Sequence, residues 1–218
     1  MNSPLIQLLV LAGIAIFLIL RLRSVLGTRE GFEKPPVPQQ PQGRAGRDFE
    51  VIEGGPDHDI TDHVAEDSAQ AQELTAMKRV EPGFSVSDFV QGSRGAYEMI
   101  VMGFEHGNLK EIEPFLAEDV FETFVSVVSA REDQGLTIES EFVGVRETTV
   151  ADVKFDKDTN LAQISMRFVG ELTSVVRNSD GEIIEGNPNT VKRQKDTWTF
   201  ARTMGTDDPN WLLVATDA

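Results

Sequence analysis

The spacing of apolar side chains changes once along this chain, and that change decides the fold class. Before about residue 135 they recur at helical spacing: Phe89, Val90, Tyr97, Ile100, Val101 and Phe104 form one set, and Val120, Phe121, Phe124, Val125, Val127 and Val128 another. From Leu136 onward the period becomes two, with Ile164, Met166, Phe168 and Leu172 on one parity and Ser165, Arg167, Glu171 and Thr173 on the other, as in a strand with one buried face. Helices followed by antiparallel strands predict an α+β domain in which helices pack on one face of a curved antiparallel sheet. Asp180-Gly181 and Asp207-Asp208-Pro209-Asn210 are turn signals between the later strands, which hold Val191, Trp198 and Phe200, then Trp211, Leu213 and Ala215. Residues 84–218 carry ten of the 13 phenylalanines and both tryptophans, enough for one core.

The preceding chain divides into three parts. From Leu5 to Leu20 the only polar side chain is Gln7. A helix from Pro4 to Leu22 would be roughly 28 Å long, near the thickness of a bilayer's hydrocarbon. Arg21, Arg23 and Arg29 follow this run and no Lys or Arg precedes it. That asymmetry predicts an uncleaved transmembrane anchor over 1–26, single-pass, with the domain facing the cytoplasm or its equivalent. Residues 27–63, with Pro35, Pro36, Pro38, Pro41 and Pro56 and few apolar side chains, read as a disordered linker. Residues 64–83 read as a pre-domain helix ended by Pro82-Gly83, and 84–218 as the domain. Within the linker, Asp57, His58, Asp59, Asp62 and His63 are metal-ligand types, but an acidic stretch without a scaffold is expected to be solvated, so no metal site is assigned.

Charge and composition narrow the function. Residues 1–47 hold six Lys/Arg against two Asp/Glu, whereas 48–218 hold 14 against 34, which argues against nucleic acid as partner. No cysteine is present, so thiolate chemistry and disulfides are out. Tyr97 and His106 are the only Tyr and His of 84–218 and are the candidate acid or base groups. Tyr97 shares its helix's apolar stripe and is expected to be a core aromatic with a satisfied hydroxyl, while His106 falls at a helix C-terminus beside Gly107-Asn108. No phosphate loop, nucleophile elbow or zinc motif is found, and neither catalytic residues nor a cofactor is assigned. Gly92 and Gly95 inside a helix each cost about 1 kcal/mol relative to alanine, which predicts close packing of another element there. Trp198, one period from Phe200, is expected to be structural.

Asp88-Phe89, Ala96-Tyr97-x-x-Ile100-x-x-x-Phe104-x-x-Gly107, Phe115-Leu116, Trp198-Thr199-Phe200-x-Arg202 and Trp211-Leu212-Leu213-Val214-Ala215 together resemble the Tim44-like domain family, named for the 44-kDa subunit of the mitochondrial inner-membrane protein translocase. Its alphaproteobacterial members, the TimA adaptors, are similar over nearly the whole chain, including the order of apolar segment, proline-rich linker, helix and domain. The resemblance implies a nuclear-transport-factor-2-like cone with an apolar pocket between helices and sheet. It also implies a membrane-anchored adaptor that binds protein clients, translocon or chaperone components in translocation or membrane-protein biogenesis; the mitochondrial member recruits the 70-kDa heat-shock chaperone. With the apolar periodicity, it makes Phe104, Phe121, Phe124 and Phe168 the expected pocket lining. The alternative is a binder of a small apolar ligand or lipid in the same pocket, with an enzyme as the minor reading.

Overall fold

Ser68 and Ser85 each start a helix by accepting a hydrogen bond from a backbone amide three residues on, from Ala71 N and Asp88 N, both at 3.1 Å. The computed structural model describes residues 55–217. The anchor assigned to 1–26, and the linker as far as residue 54, lie outside them. Among the described residues no helix is long and apolar enough to cross a membrane.

A short helix α1 (His58–Thr61) lies within the stretch that composition assigns to linker, with Ile60 buried. Helix α2 (Ala69–Val80) buries Ala71, Leu74 and Met77 at a spacing of three and packs against the sheet. Helix α3 (Val86–Glu105) buries Phe89, Ser93, Tyr97, Ile100 and Val101. It ends at Gly107, whose φ of 73° suits a residue without Cβ. A short α4 (Leu109–Ile112) and a 3-10 turn (Glu113–Phe115) lead to α5 (Glu118–Asp133).

Five antiparallel strands follow: β1 (Thr137–Asp156), β2 (Leu161–Arg177), β3 (Ile183–Gly186), β4 (Lys192–Thr203) and β5 (Leu212–Asp217). They run in the order β1-β2-β4-β5, and β3 pairs with the far end of β2. Three register shifts interrupt the β1–β2 ladder, at Phe142/Gly144, Val145/Glu147 and Val150/Asp152; such irregularities bend a strand and give the sheet its curve. The expected parity is realised, with Ala162, Ile164, Met166, Phe168 and Leu172 of β2 buried beside Asp196, Trp198 and Phe200 of β4. Val191 falls just ahead of β4 and is exposed, because the chain between β3 and β4 leaves the ladder there. Leu116 bridges Leu213, and Ala117 N donates to Leu213 O at 2.9 Å, fastening the 3-10 turn to β5.

Close packing does not fall at the glycines that the helical pattern singles out. A Cβ at Gly92 or Gly95 would meet nothing within 4 Å. On α3 and on the strand it faces, the tight positions are Gly103, where an added Cβ would lie 2.5 Å from the Ile112 side chain, and Gly170 of β2, where it would lie 2.7 Å from the Tyr97 hydroxyl. Gly170 thus lets α3 seat Tyr97 on the sheet, and Gly92 leaves its part of the helix bare.

Candidate functional site: an aromatic groove at the start of helix α3

The bare part of α3 forms one side of a groove of about 380 Å³, within the usual size range of ligand sites. Its walls come from Phe84 and Phe89 at the start of α3, Ile100 about three turns further on, Phe115 of the 3-10 turn, Phe200 of β4 and Trp211 before β5. Phe84 precedes the Ser85 cap and Phe89 is the fourth helical residue. These are the two positions of a hydrophobic staple, and their ring centroids are 6.4 Å apart. The staple delivers both rings to Trp211, whose centroid lies 6.0 Å from Phe84 and 4.6 Å from Phe89.

A carboxylate and a guanidinium fix the opposite rim. Arg202 Nη2 donates to Glu81 Oε2 at 2.5 Å, and the same oxygen accepts from Gly205 N at 3.0 Å. Burial pushes the Glu81 carboxyl up, but the Arg202 and Gly205 hydrogen bonds outweigh it and hold the group below its ordinary range. Arg202 also donates to Pro209 O at 3.3 Å, and its guanidinium lies 5.4 Å from the Trp211 ring centre, a cation–π distance. Gly92 lines the groove, and Asp88 stands at it without an ion pair among the described residues. The site therefore offers a concave surface floored by the buried Phe84, Phe89 and Phe200 and walled by the half-buried Phe115 and Trp211, with bare helix backbone and an acidic edge. That chemistry suits an apolar segment bearing a cation.

The four aromatics expected to line the pocket lie elsewhere. Phe168 is fully buried, stacked on Tyr97 at 4.5 Å, with Trp198 at 6.0 Å. Phe104 and Phe124 pair at 4.5 Å, with the Arg131 guanidinium 4.4 Å over Phe104. Phe121 is partly buried, and no aromatic pair joins Phe168 to the other three. None of the four lines the groove. Periodicity marks a buried face without saying whether it meets side chains or empty space; at Phe168 the space is filled by Tyr97.

Tyr97 is a core aromatic with a satisfied hydroxyl: it is fully buried and donates to the Asp196 carboxylate. Burial pushes the phenol far up, and the neighbouring carboxylate adds to the effect. Burial also raises Asp196, against the lowering hydrogen bonds from Tyr97 and Gln194. His106 caps the C-terminus of α3, its Nε2 3.0 Å from the Ser140 carbonyl. Of the metal-ligand types in the linker, Asp57 and Asp59 both hold Lys78, and His63 lies against Ser87. No cluster of three or more His, Asp or Glu poised for a metal ion occurs among the described residues.

Sequence reasoning misses Asp196, although it shares the parity of Trp198 and Phe200 and so falls on the buried face of β4; an acid there has no reading until its partner on α3 is known. It also misses the groove, although the Phe84-Ser85-x-x-x-Phe89 staple signal could have located one wall.

Residues 70–218 match the Tim44-like domain family. The chain is 19% identical over 149 residues to the mitochondrial import inner membrane translocase subunit TIM44-1 of Arabidopsis thaliana, covering 68% of this chain and 31% of that protein. It is 24% identical over 144 residues to the human subunit TIM44, covering 65% and 31%. The match thus spans less than a third of the length of either relative. The crystal structure of the intermembrane-space region of the chloroplast protein ARC6 is 10% identical with a TM-score of 0.36, covering 66% of this chain and 94% of that one, a likeness too loose to build on.

Proposed function

The chain belongs to the Tim44-like domain family, and from that membership we propose that it is a membrane-anchored adaptor whose groove holds an apolar segment of a protein client. The groove carries this reading: Phe84, Phe89 and Trp211 form a concave aromatic surface at which Gly92 presents helix backbone without a side chain. A mid-helix glycine with no internal packing partner costs stability, and room for an incoming segment supplies a reason to keep it. The relatives' names, subunits of a mitochondrial import inner membrane translocase, support protein translocation as the setting; membrane-protein biogenesis, and translocon or chaperone components as partners, are what the resemblance implies. The apolar run Leu5–Leu20 and the arginines after it support a single-pass anchor in a bacterial inner membrane with the domain in the cytoplasm. An anchor raises local concentration at the membrane without adding contacts. The boundaries proposed from sequence are anchor 1–26, linker 27–63, pre-domain helix 64–83 and domain 84–218.

The groove volume also suits a small apolar ligand or an acyl chain, and one experiment separates the two occupants. A photo-crosslinking amino acid placed at Trp211 in native membranes should capture a translocon subunit, a chaperone or a nascent membrane protein. The adduct should be lost when Phe89→Ala is added. Crosslinks to lipid alone would establish the small-ligand reading, and equal capture from a probe at Phe168 would remove the groove from the account.

A further inference from the structure

The first turn of α3 is capped twice. Ser85 supplies the local cap, accepting from Asp88 N at 3.1 Å, and the Phe84–Phe89 staple completes it. The amides ahead of Asp88 are taken from far along the chain: Asp59 Oδ2 accepts from Val86 N at 2.7 Å, and Oδ1 accepts from Ser87 N at 2.9 Å and from the Ser85 hydroxyl at 3.2 Å. Asp59 is held in turn. Lys78 of α2 lies 2.7 Å from both Asp57 and Asp59, Asp57 Oδ1 accepts from Asp59 N at 3.0 Å, and buried Ile60 anchors the turn. Burial would raise the Asp59 carboxyl, yet Lys78, Ser87 and Val86 together hold it far below its ordinary range, so it is ionised at any physiological pH.

A helix with its own cap and staple does not need a second cap in order to form. The second cap fixes where the helix starts. Ser85 and Asp88 line the groove between Phe84 and Phe89, and Glu81, three residues after Lys78, is pinned to Arg202 on the facing rim. The stretch from Lys78 to Phe89 is therefore held by Asp59 at Lys78 and again at Val86 and Ser87, and by Glu81 between them.

We propose that Asp57–Thr61 is a strap and Asp59 a positioning residue for the groove: with Asp59 seated, Phe84 and Phe89 are held against Trp211; with it released, the first turn of α3 loosens and the groove loses a wall. The proposal rests on the groove being the client site. Seating and occupancy then favour one another, and by linkage each strengthens the other by the same factor.

The test uses the full chain in lipid nanodiscs and hydrogen exchange of the segments covering 55–64 and 84–90. In the free protein, Asp59→Asn should speed exchange over 84–90 by about tenfold or more, as loss of hydrogen bonds to an ionised acceptor implies. Exchange of β2 and β4 should stay unchanged. Asp57→Asn, which leaves the contacts to α3 intact, should have far less effect on 84–90. Unchanged exchange over 84–90 in Asp59→Asn, or faster exchange throughout the domain, would overturn the strap. A fluorescent peptide of repeating Leu-Leu-Lys then serves as the groove probe. Its binding should weaken at least fivefold in Asp59→Asn, and in the wild type it should slow exchange over 55–64. Binding that leaves 55–64 unaltered contradicts the coupling. A peptide that fails to bind even the wild type counts against the groove as client site, while the free-chain result still decides the strap.

Discussion

Helix α3 meets the sheet through two aromatic clusters, and they end differently. Toward its middle, Tyr97 stacks on Phe168 and leans on Trp198 at 4.7 Å, with Phe142 at 6.2 Å and Gly170 making room for the hydroxyl. Near its start, Phe84, Phe89 and Trp211 are just as close, but Gly92 leaves the next position empty. The clusters touch through Trp198 and Phe200, at 6.4 Å. Composition does not separate them. What does is the placement of the missing side chain: on the sheet opposite Tyr97 it admits the molecule's own ring, and on the helix at the groove it admits nothing of its own.

Single changes should break this contrast in a graded order. Trp198→Ala is expected to cost about 3–5 kcal/mol, since a buried ring of that size is not replaced by relaxation, and to lower the thermal midpoint strongly. Trp211→Ala, at a half-open wall, should cost far less and abolish binding of the Leu-Leu-Lys peptide at the groove. A midpoint that falls equally in both variants would show that the start of α3 is core and not a site. Next in size, Gly170→Ala should destabilise by about 1–3 kcal/mol, because its Cβ would press on the fully buried Tyr97 hydroxyl. The counterpart Gly92→Ala should stabilise by up to about 1 kcal/mol through helix propensity while weakening client binding. Denaturant unfolding and peptide titration of both variants check these signs together.

The smallest effects are in pH. Burial raises the folded-state pKa of Asp196, so its favourable contribution is full below the unfolded value and lost as pH rises through the folded one. Asp196→Asn should therefore gain on the wild type as pH rises from the acid range toward neutrality, with Tyr97 donating to the amide oxygen. Glu81 has the opposite sign: its folded pKa is lowered, so its contribution is present above the unfolded value and lost as pH falls through the folded one. Glu81→Gln should cost stability at neutral pH and nothing once the carboxyl is protonated. Between about pH 3 and pH 7 the urea midpoint relative to the wild type should rise with pH for Asp196→Asn and fall with pH for Glu81→Gln.

What could be read from sequence follows from which interactions are local. The helix end at Gly107, the alternation of β2 and the Asp180-Gly181 turn depend on neighbours a few residues away, and each appears where the pattern places it. The core role of Tyr97 follows from the same stripe. Asp59 to Val86, Tyr97 to Asp196 and Glu81 to Arg202 join residues 27, 99 and 121 positions apart, and no periodicity encodes them. The same holds for Phe168, which lies on the apolar parity as expected and is closed off by a ring from α3. The stretch from Asp57 to His63 looks solvated by composition, because its order comes from Lys78, from the α3 amides and from the single buried Ile60 and not from a high apolar content.

The two tryptophans report one cluster each, so quenching by acrylamide in single-tryptophan variants, with and without the Leu-Leu-Lys peptide, tests the central claim most directly. In Trp198→Phe, the remaining Trp211 should be readily quenched in the free protein and protected when peptide binds. In Trp211→Phe, the remaining Trp198 should be poorly quenched and unresponsive. Protection of Trp198, or a Trp211 as shielded in the free protein as Trp198, would contradict the division of α3 into a closed core and an open site.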